Sequence, residues 1–385
     1  MRQLRPAWAE VDLGAIRHNA AALVAAAAPA ALCAVVKAAG YGHGAVPVAR
    51  AALEGGATVL AVALVEEGQQ LREGGIEAPV LMLSEPPPGA MDDVVAARLT
   101  PTLYTPAGLE ALLAAVKAAA PPGRWPVHVK VDTGMHRVGA DPVQAAGLAA
   151  EVASEPSLEL EGFWTHFAVA DDPGDSYTAG QCASFDAALD AVAAAGVRPA
   201  LRHAANSAGA LWHPSARYDM VRCGITLYGL APADPAGPGT LDLPDLPDLR
   251  PAMSLKAHVS LVKDVAAGER LSYGLQYRLE RDSVVATVAL GYADGFTRRL
   301  SVTGGQVLIG GKRCPLAGTV TMDQVLVDCG PGATVAAGDE AVLLGRQGDE
   351  VIGAWEWARR TGTIAYEVVC GISGRVPRHY LNPLP

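Results

Sequence analysis

A regular alternation through the first two thirds of the chain constrains its fold more than any other feature. Short β-rich apolar runs occur at 32–37, 59–63, 80–83, 99–103, 127–132, 158–166, 200–205 and 219–224. Ala-rich segments with helical spacing lie between most of them, among them 105–119, 141–154 and 178–195. Strands that read as continuous apolar runs are buried on both faces, and intervening helices supply the crossovers of a parallel sheet. Eight such runs within residues 32–224 predict an α/β fold, a (β/α)8 TIM-type barrel. The rival is a doubly wound open sheet, which carries a Gly-x-Gly-x-x-Gly turn after its first strand. Here that turn reads Ala38-Ala39-Gly40-Tyr41-Gly42-His43-Gly44 and lacks the order.

The alternation stops near residue 232. Residues 233–251 are rich in Pro, Gly and Asp and read as an exposed linker. Beyond them, strands at 255–265, 283–290, 325–329 and 340–344 follow without long helices. Turn signals such as Gly304-Gly305, Gly310-Gly311 and Gly330-Pro331-Gly332 separate several of them. A mostly antiparallel β domain over 252–385 is expected. The run at 9–13 precedes the barrel alternation. Residues 1–13 are therefore expected to give a strand that packs with this second domain, leaving 14–232 for the barrel.

The formal net charge of -10 argues against nucleic-acid binding, which needs a basic surface. Six cysteines are scattered with no Cys-x-x-Cys, which disfavours a zinc ribbon or a disulfide framework and suits a reducing cytosol. The uncharged run 20–36, with Arg2 and Arg5 upstream, raises a signal peptide. Glu10 and Asp12 spoil its positive region, and Asn19 and Pro29 interrupt it. It is also short and Ala-rich for a membrane span. A soluble, unprocessed cytoplasmic protein with no membrane partner is expected.

Active sites of such barrels lie at the C-terminal ends of the strands. Lys37, Lys130, Asp132, His166, His203, Asn206 and Arg222 fall at those ends, with Arg137, Ser207 and Gly224 beside them. Charged and imidazole groups rarely enter apolar strands unpaired, because burying them is costly. Lys37 follows Cys33-Ala34-Val35-Val36, and desolvation there would make its amine nucleophilic. The bland alternative is a strand-end lysine that reaches solvent. Asn206-Ser207 and the backbone of Gly224 and Ile225 lie in the loops where such barrels often bind phosphate. A reactive lysine with a phosphate site suggests pyridoxal phosphate held as a Schiff base. His166 and His203 could be metal ligands, but no carboxylate spacing completes a set, and no metal is expected.

The segment Ala34-Val35-Val36-Lys37-Ala38-Ala39-Gly40-Tyr41-Gly42-His43-Gly44 resembles the cofactor-lysine motif of alanine racemases. The resemblance continues through Lys130-Val131-Asp132-Thr133-Gly134-Met135-His136-Arg137, His203-Ala204-Ala205-Asn206-Ser207, Leu271-Ser272-Tyr273-Gly274 and Gly291-Tyr292-Ala293-Asp294-Gly295. Thr321-Met322-Asp323-Gln324 and Thr363-Ile364-Ala365-Tyr366-Glu367 carry it nearly to the end of the chain. It implies a pyridoxal 5'-phosphate barrel followed by a β domain, acting as a homodimer with shared active sites. It also implies interconversion of L- and D-alanine, supplying D-alanine for peptidoglycan.

By the same resemblance, Lys37 would hold the cofactor and act as base on one face of the substrate. Tyr273 of the partner subunit would act on the other, in a network with His166 and Arg222. Arg222 would face the pyridine nitrogen, and His203 would lie near the ring. Tyr41, Asn206, Ser207, Gly224, Ile225 and Tyr366 would hold the cofactor, chiefly its phosphate. Arg137 would hold the phenolic oxygen and the substrate carboxylate, beside Lys130 as a carbamate. Met322, Asp323 and Tyr292 would line the partner's side. The chain departs from the family at Ala39, usually Asn or Asp, and at Thr319, commonly Arg. A racemase of broader range, acting on serine or other small amino acids, is the alternative reading.

Overall fold

The computed structural model describes residues 5–237 and 246–383. Residues 1–4, 384–385 and part of the expected linker, 238–245, lie outside the described residues. The described residues form two compact units. One comprises 15–233 and 246–250, the other 5–14, 234–237 and 251–383.

β1 (Ala7–Asp12) belongs to the second unit. The first unit holds β2 (Ala31–Val35), β3 (Val59–Val62), β4 (Val80–Met82), β5 (Thr102–Leu103), β6 (Trp125–Lys130), β7 (Leu158–Trp164), β8 (Leu201–His203) and β9 (Met220–Cys223). They form two parallel runs, β4-β3-β2-β9 and β5-β6-β7-β8. Thr100 bridges Leu81 at one seam, with its amide on the Val80 carbonyl at 2.9 Å. At the other, the Asp219 and Arg222 amides donate to the Arg202 and Ala205 carbonyls, each at 3.0 Å. Both seams thus join, and the eight strands close into a barrel.

The intervening helices start where capping chemistry puts them. Thr105 accepts from the Gly108 amide before the helix Pro106–Ala119, and Asp141 accepts from Val143 and Gln144 before Pro142–Ser154. Each helix buries one stripe, for example Ala145, Leu148, Ala149 and Val152. Several strands are shorter than the apolar runs. β2, β7 and β8 end at Val35, Trp164 and His203, so Lys37, His166 and Asn206 stand in the loops just past the strand ends. The chain leaves the ladder there while staying apolar, because those loops pack over the barrel end.

The second unit adds β10 (Met253–Val265), β11 (Arg270–Leu271), β12 (Tyr277–Arg278), β13 (Ser283–Val288), β14 (Gln306–Ile309), β15 (Lys312–Pro315), β16 (Val325–Gly330), β17 (Glu340–Gln347), β18 (Glu350–Ile352) and β19 (Arg378–Leu381). β1 pairs antiparallel with β10 and parallel with β19. A ladder runs β15-β14-β17-β10-β13-β16. A single antiparallel bridge, Leu316 to Val327, joins its two ends. The result is a small closed β barrel with one thin seam. Tyr366 sits on a short helix, Ala365–Cys370, which follows a longer one at Ala354–Thr361.

Candidate active site

Arg222 organises the barrel end. It is buried on β9, yet none of its hydrogen-bond partners among the described residues is a carboxylate. One guanidinium nitrogen donates to His203 Nδ1 at 2.8 Å. The other donates to the Thr165 and Ala204 carbonyls at 2.9 and 3.0 Å and to His166 Nδ1 at 3.1 Å. Burial lowers its pKa to about 10, so it stays cationic at neutral pH. Both imidazoles are held well below their usual range, by burial first and by the Arg222 charge next. They are therefore neutral acceptors.

The protonation pattern propagates outward. Accepting at Nδ1 leaves the His203 proton on Nε2, which meets His128 Nδ1 at 2.9 Å. His128 then carries its proton on Nε2, 2.9 Å from the Glu161 carboxylate. A relay thus crosses the barrel wall from buried Arg222 to partly exposed Glu161. Gly162 makes room for it, since a Cβ there would collide with the His128 ring.

Trp164 is the floor of the cluster. The Arg222 guanidinium and the Lys130 amine each lie 4.4 Å from its ring centroid, and His203 stacks on it at 5.3 Å. Lys130 is pushed down to about 7 by burial and then by the neighbouring Arg222 and Arg137 charges. Arg137 is exposed on the loop after β6. Asp132 shapes that loop by accepting from the Gly134 and His136 amides at 2.9 and 3.1 Å.

Lys37 opens a left-handed turn. Ala38, Ala39, Gly40 and Tyr41 have φ of 52°, 53°, 62° and 50°. Left-handed backbone costs an L-residue about 1–2 kcal/mol, so this turn stores strain. Glu67 holds it, accepting from the Ala38 amide at 2.6 Å and the Ala63 amide at 2.8 Å. The turn stacks Tyr41 on Tyr228 at 4.8 Å, and Tyr228 donates to the Val35 carbonyl at 2.9 Å. The Tyr41 phenol lies over Gly224, where any Cβ would strike its oxygen. Ser207 accepts from the Gly224 amide and the Thr226 hydroxyl, each at 3.0 Å. Its own proton is left to donate. The Asn206 side chain caps the next turn, accepting from the Gly209 amide at 2.9 Å. Ile225 is buried at the start of the turn Ile225–Tyr228.

The remaining candidates gather in the second unit. Tyr273 sits on a turn between β11 and β12, and its carbonyl accepts from Thr319 Oγ1 at 2.9 Å. The Tyr292 and Ala293 amides donate to the Thr321 and Met322 carbonyls at 3.0 and 3.1 Å. The Asp323 carboxylate is taken up by Arg375 at 2.6 Å. Tyr273, Met322 and Tyr292 expose large apolar surface. Tyr366 is half-buried on its helix.

The barrel end fits a small anionic aromatic group. Lys37, Lys130, Arg137 and Arg222 all raise the local positive potential, and all act on His166. Arg222 offers a cationic donor, and Ser207 an undonated proton. Sequence reasoning missed Trp164, Tyr228, Glu67, His128 and Glu161. His128 and Glu161 were the discoverable ones, as polar residues inside strands 127–132 and 158–166.

A family model described as "Alanine racemase, N-terminal domain" matches residues 11–232, and one described as "Alanine racemase, C-terminal domain" matches 252–380. The alanine racemase of Symbiobacterium thermophilum is 51% identical over 379 residues, spanning 98% of this chain and 97% of that one. The crystal structure of the alanine racemase from D-cycloserine-producing Streptomyces lavendulae has a TM-score of 0.90 at 40% identity and covers 100% of this chain and 99% of that one. The Bacillus anthracis alanine racemase with bound L-Ala-P has a TM-score of 0.88 at 39% identity, with 99% and 96% covered. Two matching family models and relatives at this identity over nearly full length place the chain in the alanine racemase family of pyridoxal-phosphate-dependent isomerases.

Proposed function

We propose that this chain interconverts L- and D-alanine with pyridoxal 5'-phosphate in a homodimer of shared sites, and that its D-alanine serves peptidoglycan. The observation that carries this reading is Arg222, buried with no carboxylate among its hydrogen-bond partners in the described residues and fixed by two neutral imidazoles.

When bound, the cofactor acidifies the substrate Cα–H by drawing electron density away from it. Lys37 anchors it and moves a proton at Cα on one face. Tyr41, Ser207, Tyr366 and the Gly224–Ile225 backbone hold the phosphate, with Asn206 fixing the loop beneath. Arg222 keeps its protons at neutral pH, so it would donate a hydrogen bond to the ring nitrogen and withhold a proton. By withholding that proton, Arg222 would favour return of a proton to Cα over side reactions. His203, with its tautomer set by the relay, would lie beside the ring.

Racemisation needs a second proton carrier on the opposite face. Arg222 donates to His166 Nδ1, so His166 presents its Nε2 proton. That proton stabilises the phenolate of Tyr273 of the partner subunit. The high exposure of Tyr273, at 73%, supports its use across an interface. Arg137 and the Met322 backbone of the partner subunit hold the substrate carboxylate, with Tyr292 and Asp323 at the entrance. Lys130, with a pKa of about 7, offers a free amine to carbon dioxide, and the resulting carbamate would pair with Arg137.

Mixing Lys37→Ala with Tyr273→Phe protomers tests the reading. Hybrid dimers should recover part of the activity. No recovery after demonstrated subunit exchange would refute shared sites. Thr319, a short side chain beside Tyr273, supports a second reading in which serine is also accepted. Chiral chromatography of products from alanine and serine separates the two.

A further inference from the structure

We propose that Cys314 and Cys329 are an oxidation site, closing to a cross-strand disulfide that staples the thin seam of the small β barrel. Strand register sets the two cysteines opposite each other. The Ala317 amide donates to the Leu326 carbonyl at 2.7 Å, and Leu316 bridges Val327. Residues 317 and 326 therefore form a hydrogen-bonded pair, and 316 and 327 do not. Two residues on, Cys314 faces Cys329 as another pair without ladder bonds. Such pairs bring Cα atoms to about 4.5 Å, inside the span of about 4.4–6.8 Å that a disulfide bridges.

A bulge adjusts this end of β16. Val284 faces Gly330 and Val285 faces Asp328, which leaves Cys329 as the extra residue against β13. Bulges re-aim side chains, and here the Cys329 thiol stays within hydrogen-bonding reach of Cys314. Cys314 is buried and Cys329 partly exposed, so a small oxidant reaches the pair from the Cys329 side.

The oxidant is a low-molecular-weight disulfide. A thiolate of the pair attacks one of its sulfurs and expels a thiolate. The facing cysteine, deprotonated, then attacks the mixed disulfide and expels the second. Two electrons leave the pair, one disulfide is reduced to two thiols, and both protons end in solution or on the released thiols.

The staple encloses the loop 316–327, which carries Thr319, Met322 and Asp323. Closing it would restrict that loop. The effect on catalysis rests on the role proposed above for Met322, whereas the disulfide and the stiffening do not.

The test treats the full-length protein with oxidised glutathione under native conditions. Cleavage before Asp323 and Asp328 separates the two cysteines. The expected result is a reductant-sensitive cross-link between their peptides, absent in Cys314→Ala and in Cys329→Ser, and amide exchange at 320–324 slowed several-fold. Stable glutathione adducts without the cross-link, or a cross-link through Cys370, would overturn the site. A cross-link with unchanged exchange would overturn the stapling. If both appear and the KM for alanine is unmoved, the role assigned to Met322 is at fault instead.

Discussion

The two groups of candidate residues are built in opposite ways. At the barrel end, Arg222 and Lys130 are each 3% exposed, and their neighbours are fixed by hydrogen bonds within one unit. In the second unit, Tyr273 is 73% and Met322 52% exposed, and the segments are tied by backbone while the side chains face outward. The barrel end is organised by its own fold. The second group turns its side chains outward, as the shared site proposed above requires.

The largest effects should separate activity from stability. Tyr273→Phe should lower racemisation about 10²–10⁴-fold, the usual reach of one acid-base group. An exposed side chain should cost the fold no more than about 0.5 kcal/mol. A chiral product assay beside a urea melt checks both, and a destabilisation above about 1 kcal/mol would break the contrast. The complementary variant, Lys37→Ala, should lose activity similarly and stop borohydride from fixing cofactor to the chain. A label found on Lys130 instead would reverse the assignment.

The buried group should be the pH-sensitive one. Below pH of about 6.5 the unfolded chain protonates both His166 and His203, while the folded chain keeps them neutral. The unfolded state then binds more protons, so stability falls as pH falls, by up to about 2.7 kcal/mol per unit for two groups. Lys130, depressed to about 7, has the same sign at higher pH. Without cofactor and carbon dioxide, stability should rise from about pH 7 towards about 10.4, its unfolded value. Urea midpoints across pH read both. A profile flat below pH 6 would mean that the imidazoles are already charged.

His128→Leu should cost about 1–3 kcal/mol, because the buried Nε2–H of His203 loses its acceptor. The same urea melts apply, and a neutral result would show that the relay closes on water. The smallest expected effect is a gain. Ala39→Asn should add up to about 1 kcal/mol, since Asn tolerates the left-handed backbone that Ala39 adopts at φ 53°. A loss instead would mean that Ala39 is chosen for space.

Most strands of the first unit were legible because they are buried on both faces and so read as apolar runs, whereas β7 and β8 expose Glu159 and Arg202. Lys37, His166 and Arg222 stood out because charge and imidazole are costly in such runs. The left-handed turn after Lys37 was not legible. Two of its four residues are alanine, which prefers other backbone, and Glu67 holds it from 29 positions away. The relay needed the register of β6 against β7 before His128 and Glu161 could be joined. The seam of the small barrel also depends on distant pairing. Tyr366 came with a family motif, but nothing in its local pattern announced a helix.

The meeting of Tyr41 and Gly224 has a consequence for inhibition. The phenol occupies the space that any side chain at 224 would need. Even alanine, the smallest replacement, would push Tyr41 off Tyr228 and disturb the turn that starts at Lys37. A compound that draws its affinity from the Gly224 backbone and the Tyr41 hydroxyl would therefore face a target with little room to mutate. Resistance would have to arise elsewhere, and the exposed residues around Tyr273 and Thr319 are where substitutions cost the fold least.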